Sequence, residues 1–443
     1  MIPSLLHIPN IRYFVMFRVC YFARFYYPIM TLLYLDYGLT LSQFALLNAI
    51  WAATIVISEV PSGAFADLLG RKKLVVLSSI VMFVEIALIA FVPTGDIELV
   101  FWVFFINRIL SGLAMALSSG ADEALAFDTV KQLGREEEWP QILQTLIRVS
   151  STVSIFVTII GAAMYDLDVM KVVFQFLALG EPLSTQDIMR IPVYATLIVA
   201  GLALYAALKM EEDTPTSQNH DALNASGNKI MASLTLTMQT AKWITTTPVV
   251  LFTLLYYSIF EQVSRMFLTL NSQYYRAIEI PIIYIGFIGA GVSLFKIIVA
   301  GQSRRLAEGL QPAYFLLLMG VLSMASYFFI GQGYPIYGVI PALVLIFLTM
   351  TINIFISFHL NKLTKSENRA TVLSFKGLMF NIGYGSIGVL YAYYYGIVSK
   401  RFTPDEVAND FAFLESLPSF FYYFTILFSL IVVVHWFNRR MKL

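Results

Sequence analysis

Twelve runs of roughly twenty apolar residues, each followed by a short polar loop, leave this chain very few folds. A helix rises about 1.5 Å per residue, so roughly 20 residues cross the hydrocarbon core of a bilayer. The runs lie at 11–35, 41–64, 74–92, 98–125, 140–165 and 187–208, then at 247–274, 281–303, 312–331, 335–360, 370–398 and 417–437. Of the 443 residues, 58% are hydrophobic and 13% are charged. A soluble domain carries about 25% charged residues, so this chain has too little polar side chain to cover a water-facing surface. Its solvent is lipid, where every backbone N–H and C=O needs a partner within the protein. An all-α integral membrane protein is the expectation.

Other classes are disfavoured by the same composition. A net charge of +1 offers no basic surface for nucleic acid. The single cysteine, Cys20, says nothing of redox compartment, and His7, His220, His359 and His435 lack metal-ligand spacing. There is no phosphate loop of the Gly-x-x-x-x-Gly-Lys-Ser/Thr type and no Gly-x-Ser-x-Gly elbow. No cofactor and no enzymatic activity are expected. Residues 210–229 are rich in Ser, Thr, Asn and Asp and have no apolar period. They divide the chain into 1–208, a linker at 209–246, and 247–443. With the N-terminus inside, seventeen Lys and Arg fall in cytoplasmic segments and five (Lys171, Arg190, Arg276, Lys400 and Arg401) in outer ones. That bias places both termini in the cytoplasm.

The loop from Glu59 to Lys73, EVPSGAFADLLGRKK, is short and ends in a basic cluster. Gly63 and Gly70 allow close approach and unusual backbone angles. Asp67, Arg71, Lys72 and Lys73 put paired charge at the bilayer edge. The plainer reading is a positively charged stop between two anchors. The Gly-x-x-x-Asp-x-x-Gly-Arg-Lys spacing resembles the signature loop between helices 2 and 3 of the major facilitator superfamily. Arg108-x-x-x-Gly112-x-x-x-Ala116 resembles its helix-4 motif. Ser119–Asp128, Glu59–Gly63 and Arg369–Ser374 are similar to a bacterial drug-exporter-like subgroup (DHA1-like). Two departures stand out. The fifth span, RVSSTVSIFVTIIGAAMY, lacks the Gly-Pro pair of the antiporter motif, and Gly301–Gly309 keeps the basic pair of the signature loop but loses the aspartate spacing.

The resemblance implies twelve transmembrane helices in two six-helix bundles, with one substrate site near the midplane and access that alternates as the bundles rock. Spans 1, 4, 7 and 10 would line the cavity. The resemblance also implies an inner gate of Gly63, Asp67, Gly70, Arg71, Lys72 and Asp128, with Glu59 and Glu123 in the same network. Ordinary loop ordering is the alternative for these residues. A bacterial cytoplasmic membrane and a monomer follow from the same likeness.

Charged residues inside the spans are the other candidates, because each costs about 2.5–3.5 kcal/mol at a helix centre on insertion scales. Arg18 pairs with a carboxylate or reaches for the interface, and Arg24 faces the cavity or a neighbouring helix. Arg108 in span 4 is the strongest cavity cation. Glu85 in span 3 lies at similar depth and is expected to pair with it if the two are neighbours. Glu261 and Arg265, four apart on span 7, form either an internal salt bridge or a carboxylate that changes partners. Glu261 is the first candidate for coupling and Glu85 the second. Lys296 and Lys376 read as structural. Arg148 reaches the cavity or pairs with Asp122 and Glu123. Tyr26, Tyr256 and Tyr257 form a pocket wall or pack between helices.

These features point to a secondary active transporter of a small molecule, coupled to protons, with export of amphipathic compounds as its drug-like version. Its partners are then the solute, the proton and the lipid bilayer. An organic-anion transporter and a non-transporting membrane sensor or scaffold of the same fold are the alternatives.

Overall fold

All twelve apolar runs are helical in a computed structural model of the protein, which describes residues 4–180, 184–212, 235, 242–308, 312–363 and 366–440. The first run is α1 (Pro9–Phe22) and α2 (Met30–Asp36), followed by α3 (Leu41–Leu69), α4 (Arg71–Phe91), α5 (Ile97–Ser118) and α6 (Ala121–Gln132). Next come α7 (Trp139–Ala163), a short α8 (Leu167–Phe176) and α9 (Ile191–Lys209). The later runs are α10 (Pro248–Thr269), α11 (Ile282–Glu308), α12 (Pro312–Gly331), α13 (Val339–Leu363), α14 (Ser366–Ser399) and α15 (Pro418–Arg440). Among the described residues, eight helices are long and apolar enough to cross a membrane unaided. The first run is absent from that set because its two helices, of 14 and 7 residues, are each too short alone.

Pro28 accounts for that interruption. It has no N–H, and its ring would collide with the carbonyl four residues back, that of Arg24. The helix therefore stops at Phe22, the Tyr27 N–H donates to the Arg24 carbonyl at 3.1 Å, and a 3-10 turn over Tyr27–Ile29 leads into α2. The continuous helix expected over 11–35 is thus two helices with Arg24 in the gap. The fourth run is interrupted too. Gly120 adopts a left-handed conformation (φ 77°) that ends α5 and starts α6.

Two compact units form by contact, one within Met1–Thr40, Ile50–Leu234 and Ile282–Ile297, the other within Leu41–Ala49, Thr235–Pro281 and Ile298–Leu443. In the first unit α1 packs on α6, α7 and α9, and α4 packs on α5 and α9. In the second, α10 is the hub and touches α13, α14 and α15. Part of the stretch read as linker is ordered into this second core. Residues 242–246 are helical, and Ile244, 1% exposed, clusters with Val250, Leu254, Leu360 and Val372. Residues 213–234 and 236–241 of that linker lie outside the described residues.

The glycine left in the fifth run has a packing reason. A Cβ on Gly161 of α7 would strike the Phe25 carbonyl in the gap of the first run. Only hydrogen lets the irregular backbone at 23–26 lie against α7. Replacing Gly161 by alanine should lower the thermal midpoint of the purified protein by several degrees. Gly291→Ala on α11, where the added methyl meets no heavy atom within 4 Å, should leave it unchanged or slightly higher, since alanine favours a helix over glycine by about 1 kcal/mol. Thermal unfolding of the two variants side by side checks this, and equal midpoints would show that Gly161 carries no packing role.

Candidate functional site

The gap in the first run is largely buried, and Arg24 within it turns inward. Its Nη1 donates to Glu85 Oε1 on α4 at 2.6 Å and to the Tyr26 hydroxyl at 2.9 Å, and its guanidinium lies 5.4 Å from the Tyr27 ring centroid. Asn107 on α5 completes the cluster. Its amide donates to the Glu85 carbonyl at 2.8 Å and also to Glu85 Oε2. Arg24 is 6% exposed and Glu85 fully buried. Two opposite charges at hydrogen-bond distance, with an amide on the remaining carboxylate oxygen, form the arrangement in which a buried pair is tolerated. Removing one member leaves the other uncompensated.

Arg108 does not take part in that pair. It donates to the Tyr34 hydroxyl of α2, lies 5.0 Å from that ring's centroid and approaches Met30 Sδ at 3.9 Å. Consecutive helical residues point about 100° apart. Asn107 and Arg108 therefore cannot both face Glu85, and the amide takes the place expected of the arginine. Tyr26, 1% exposed, serves as a partner of Arg24.

At α6, Arg18 holds both Asp122 (3.0 Å) and Glu123 (2.9 Å), so it is Arg18 of α1, and not Arg148, that takes this acidic pair. Arg71 pairs with Asp128 and donates to the Ala124 carbonyl at 3.3 Å. Glu123 thus belongs to a tie between α1 and α6, Arg71 and Asp128 to one between α4 and α6. The N-terminus of α4 has its own counter-charge. Glu212 accepts from the backbone N–H of Arg71 (2.9 Å) and of Lys72 (3.3 Å), where a carboxylate suits the helix dipole. A Cβ on Gly70 would sit 2.7 Å from Glu212 Oε2. Asn10 clamps the neighbouring Glu211 backbone through both its amide groups, at 3.0 and 2.9 Å, and donates to Thr129 at 2.6 Å. The surroundings of Gly63 and the side chain of Asp67 lie outside what is described. Glu59 has a buried Oε2 with no hydrogen-bond partner among the described residues.

A second polar cluster sits in the other unit, where α10 meets α13 and α14. Asn353 donates to Glu261 Oε2 at 3.3 Å and accepts from the Tyr257 hydroxyl. Lys376 donates to Ser357 at 3.1 Å, with its ammonium 4.5 Å from the Tyr257 ring centroid. Arg265 donates to Asn381 at 3.3 Å and lies 4.7 Å from the Tyr384 ring centroid. Tyr257 is therefore inside this cluster, whereas Tyr256 turns to Phe428 of α15, ring centroids 6.1 Å apart. Glu261 is half-buried, in contrast to Glu85.

The first unit also holds a cavity of about 190 Å³ among α1, α7 and the first half of α11. Val19, Phe22, Ala23, Val153 and Val157 form its apolar wall; Ser150, Ser151, Ser154, Ser293 and Lys296 supply its polar side. Sequence reasoning passed over Asn107, Asn353, Asn381 and these serines. Neutral amides and hydroxyls carry no charge for a hydropathy reading to register, although an asparagine within an apolar run was the signal available.

Truncating Arg24 to alanine should destabilise the protein by about 3–5 kcal/mol, because a buried carboxylate loses its counter-charge. The double variant R24A/E85Q should recover much of that loss. Chemical unfolding of the single and double variants measures it, and strictly additive effects would show that the two side chains do not depend on one another.

The arrangement has known counterparts at the level of fold. Among solved structures, the nucleoside transporter NupG superposes with a TM-score of 0.69 at 10% identity, covering 96% of this chain and 98% of that one. A D-xylose–proton symporter gives 0.63 at 13%, covering 97% of each chain. A bacterial homologue of the human lysosomal transporter Spinster gives 0.69 at 10%, covering 99% and 97%. No curated protein matches the sequence. The sequence family that does match spans residues 13–388, most of the chain and both halves of its helical array, and with twelve apolar helical runs behind it the chain belongs to the Major Facilitator Superfamily.

Proposed function

We propose that this transporter moves a small solute by alternating access with the proton as coupling ion, and that Glu261 is the proton-carrying group. The carrying observation is the contrast between the two membrane carboxylates. Glu85 is fully buried and held by a guanidinium at 2.6 Å, so it has a fixed partner. Glu261 is half-buried and is held by a neutral amide at 3.3 Å, within a cluster that also contains Tyr257, Lys376 and Ser357. A coupling acid must exchange its proton with water and change partners during the cycle, and weakly held, partly accessible carboxylates do this most readily. Proton coupling is also the mode named for the D-xylose symporter of similar fold.

The remaining parts of the proposal rest on sequence. The likeness of Glu59–Gly63 and Ser119–Asp128 to drug-exporter-like facilitators supports export of amphipathic compounds. The excess of Lys and Arg on one side supports cytoplasmic termini in a bacterial inner membrane. We take the protein to work as a monomer, with bundles at 1–208 and 247–443. A second reading, transport of an organic anion, is favoured by Lys296 in the serine-rich cavity of the first unit.

Proteoliposomes loaded with a pH-sensitive dye test the leading reading with a panel of amphipathic amines and organic carboxylates. Wild-type protein should couple proton flux to one class of solute. Glu261→Gln should lose at least about 10-fold of that proton-driven uptake, the size of effect typical when a proton-transferring group is removed, while still exchanging solute for solute. Uphill uptake by Glu261→Gln equal to wild type would remove Glu261 from the coupling role. Absence of flux with every solute would favour the sensor or scaffold reading.

A further inference from the structure

We propose that the cavity among α1, α7 and α11 is a binding site for a small organic monocarboxylate, with Lys296 holding its charge. The first observation is Lys296 itself. It is the fifteenth of the 27 residues of α11, exposed and at the same time part of the cavity lining. A cation within an apolar run calls for a counter-charge or polar surroundings. Among the described residues, no carboxylate lies within 4.0 Å of its ammonium.

The second observation is the spare hydrogen-bonding capacity around it. Ser293 donates to the Gly289 carbonyl at 3.0 Å, so the 3.2 Å contact between Ser154 and Ser293 uses the Ser154 proton. Those two hydroxyls have spent their donors. Ser151, only 9% exposed, lines the cavity and makes no hydrogen bond to another described residue, and neither does the Ser150 hydroxyl beside it. An ammonium with three N–H donors and two uncommitted hydroxyls match the two oxygens of a carboxylate.

Size and wall chemistry narrow the class. The cavity, about 190 Å³, falls below the roughly 300–1,000 Å³ of pockets for drug-sized ligands. Val19, Phe22 and Val157 present hydrocarbon opposite the polar side. One cation balances one negative charge, which favours a monoanion over a phosphate or sulfate dianion. An apolar body of a few carbons suits the remaining wall. The site deepens the organic-anion version of the transport reading and rests on it only for physiological meaning, since binding is measurable without transport.

Benzoate and its neutral isostere benzamide are the probes, titrated calorimetrically into the purified full-length protein. Wild type should bind benzoate saturably and benzamide at least about 10-fold more weakly, the scale of a charge-assisted hydrogen bond. Lys296→Met should weaken benzoate by a similar factor, Lys296→Arg should retain it, and Ser151→Ala should weaken it a few-fold. The melting temperature of ligand-free Lys296→Met should match or exceed that of wild type, which separates lost binding from lost folding. Should that variant fail to fold, protection of Lys296 by benzoate from an amine-acylating reagent in the wild-type protein gives the same answer. Equal binding of benzoate and benzamide, unchanged affinity in Lys296→Met, or absence of protection would overturn the proposal. So would Lys296-dependent retention of phosphatidylglycerol in nanodiscs with no benzoate binding, which would make the ligand a lipid headgroup. Benzoate binding without benzoate flux in proteoliposomes would keep the site and remove the transport reading. Flux of other solutes with no benzoate binding would do the reverse.

Discussion

A charge taken into hydrocarbon must bring its partner with it, and the ion pair between Arg24 and Glu85 is where this chain meets that requirement most fully. The pair joins the gap in the first apolar run to α4, and Asn107 joins both to α5. The consequences reach outward from there. An arginine can occupy that depth because Pro28 interrupts the helix and frees the backbone to turn it inward. The irregular backbone can in turn lie against α7 because Gly161 offers no side chain. One buried pair thus fixes the course of three neighbouring helices and explains a proline and a glycine that no membrane-insertion argument would ask for.

The two units treat their polar groups differently. In the first, four acids are matched to arginines at short range: Glu85 with Arg24, Asp122 and Glu123 with Arg18, Asp128 with Arg71. Such ties set helix positions and resist change. The second has one such pair, Arg276 with Asp410, but where α10 meets α13 and α14 its Glu261, Arg265 and Lys376 have Asn353, Asn381 and Ser357 as hydrogen-bond partners. Amides and hydroxyls donate and accept equally well, so they tolerate a change in the protonation or position of the group they hold. That difference underlies the assignment of coupling to Glu261 over Glu85.

Much of the fold was legible because membrane insertion writes itself into sequence as length: runs of roughly 20 apolar residues cannot be hidden. The interruptions were not read, although Pro28 and Gly120 stand in plain view, because averaging hydropathy over a whole run conceals a single breaker. The ionisable candidates were found, since a charge in an apolar run is conspicuous. Their partners were not. Whether Asn107 or Arg108 meets Glu85 depends on a rotation of about 100° about one helix axis, which is set by packing between helices and not by the local sequence. The Glu212 carboxylate at the start of α4 was equally hidden, because it arrives from a segment more than a hundred residues away that read as flexible linker.

The account stands or falls on whether the charges inside the membrane hold one another. An experimental structure of the protein in a lipid nanodisc, by electron cryo-microscopy, tests this most directly. It should show the first run interrupted at residues 23–26, with the Glu85 carboxylate in hydrogen-bond contact with both Arg24 and Asn107. A continuous first helix with Glu85 turned to lipid, or with Arg24 and Glu85 facing different neighbours, would contradict it.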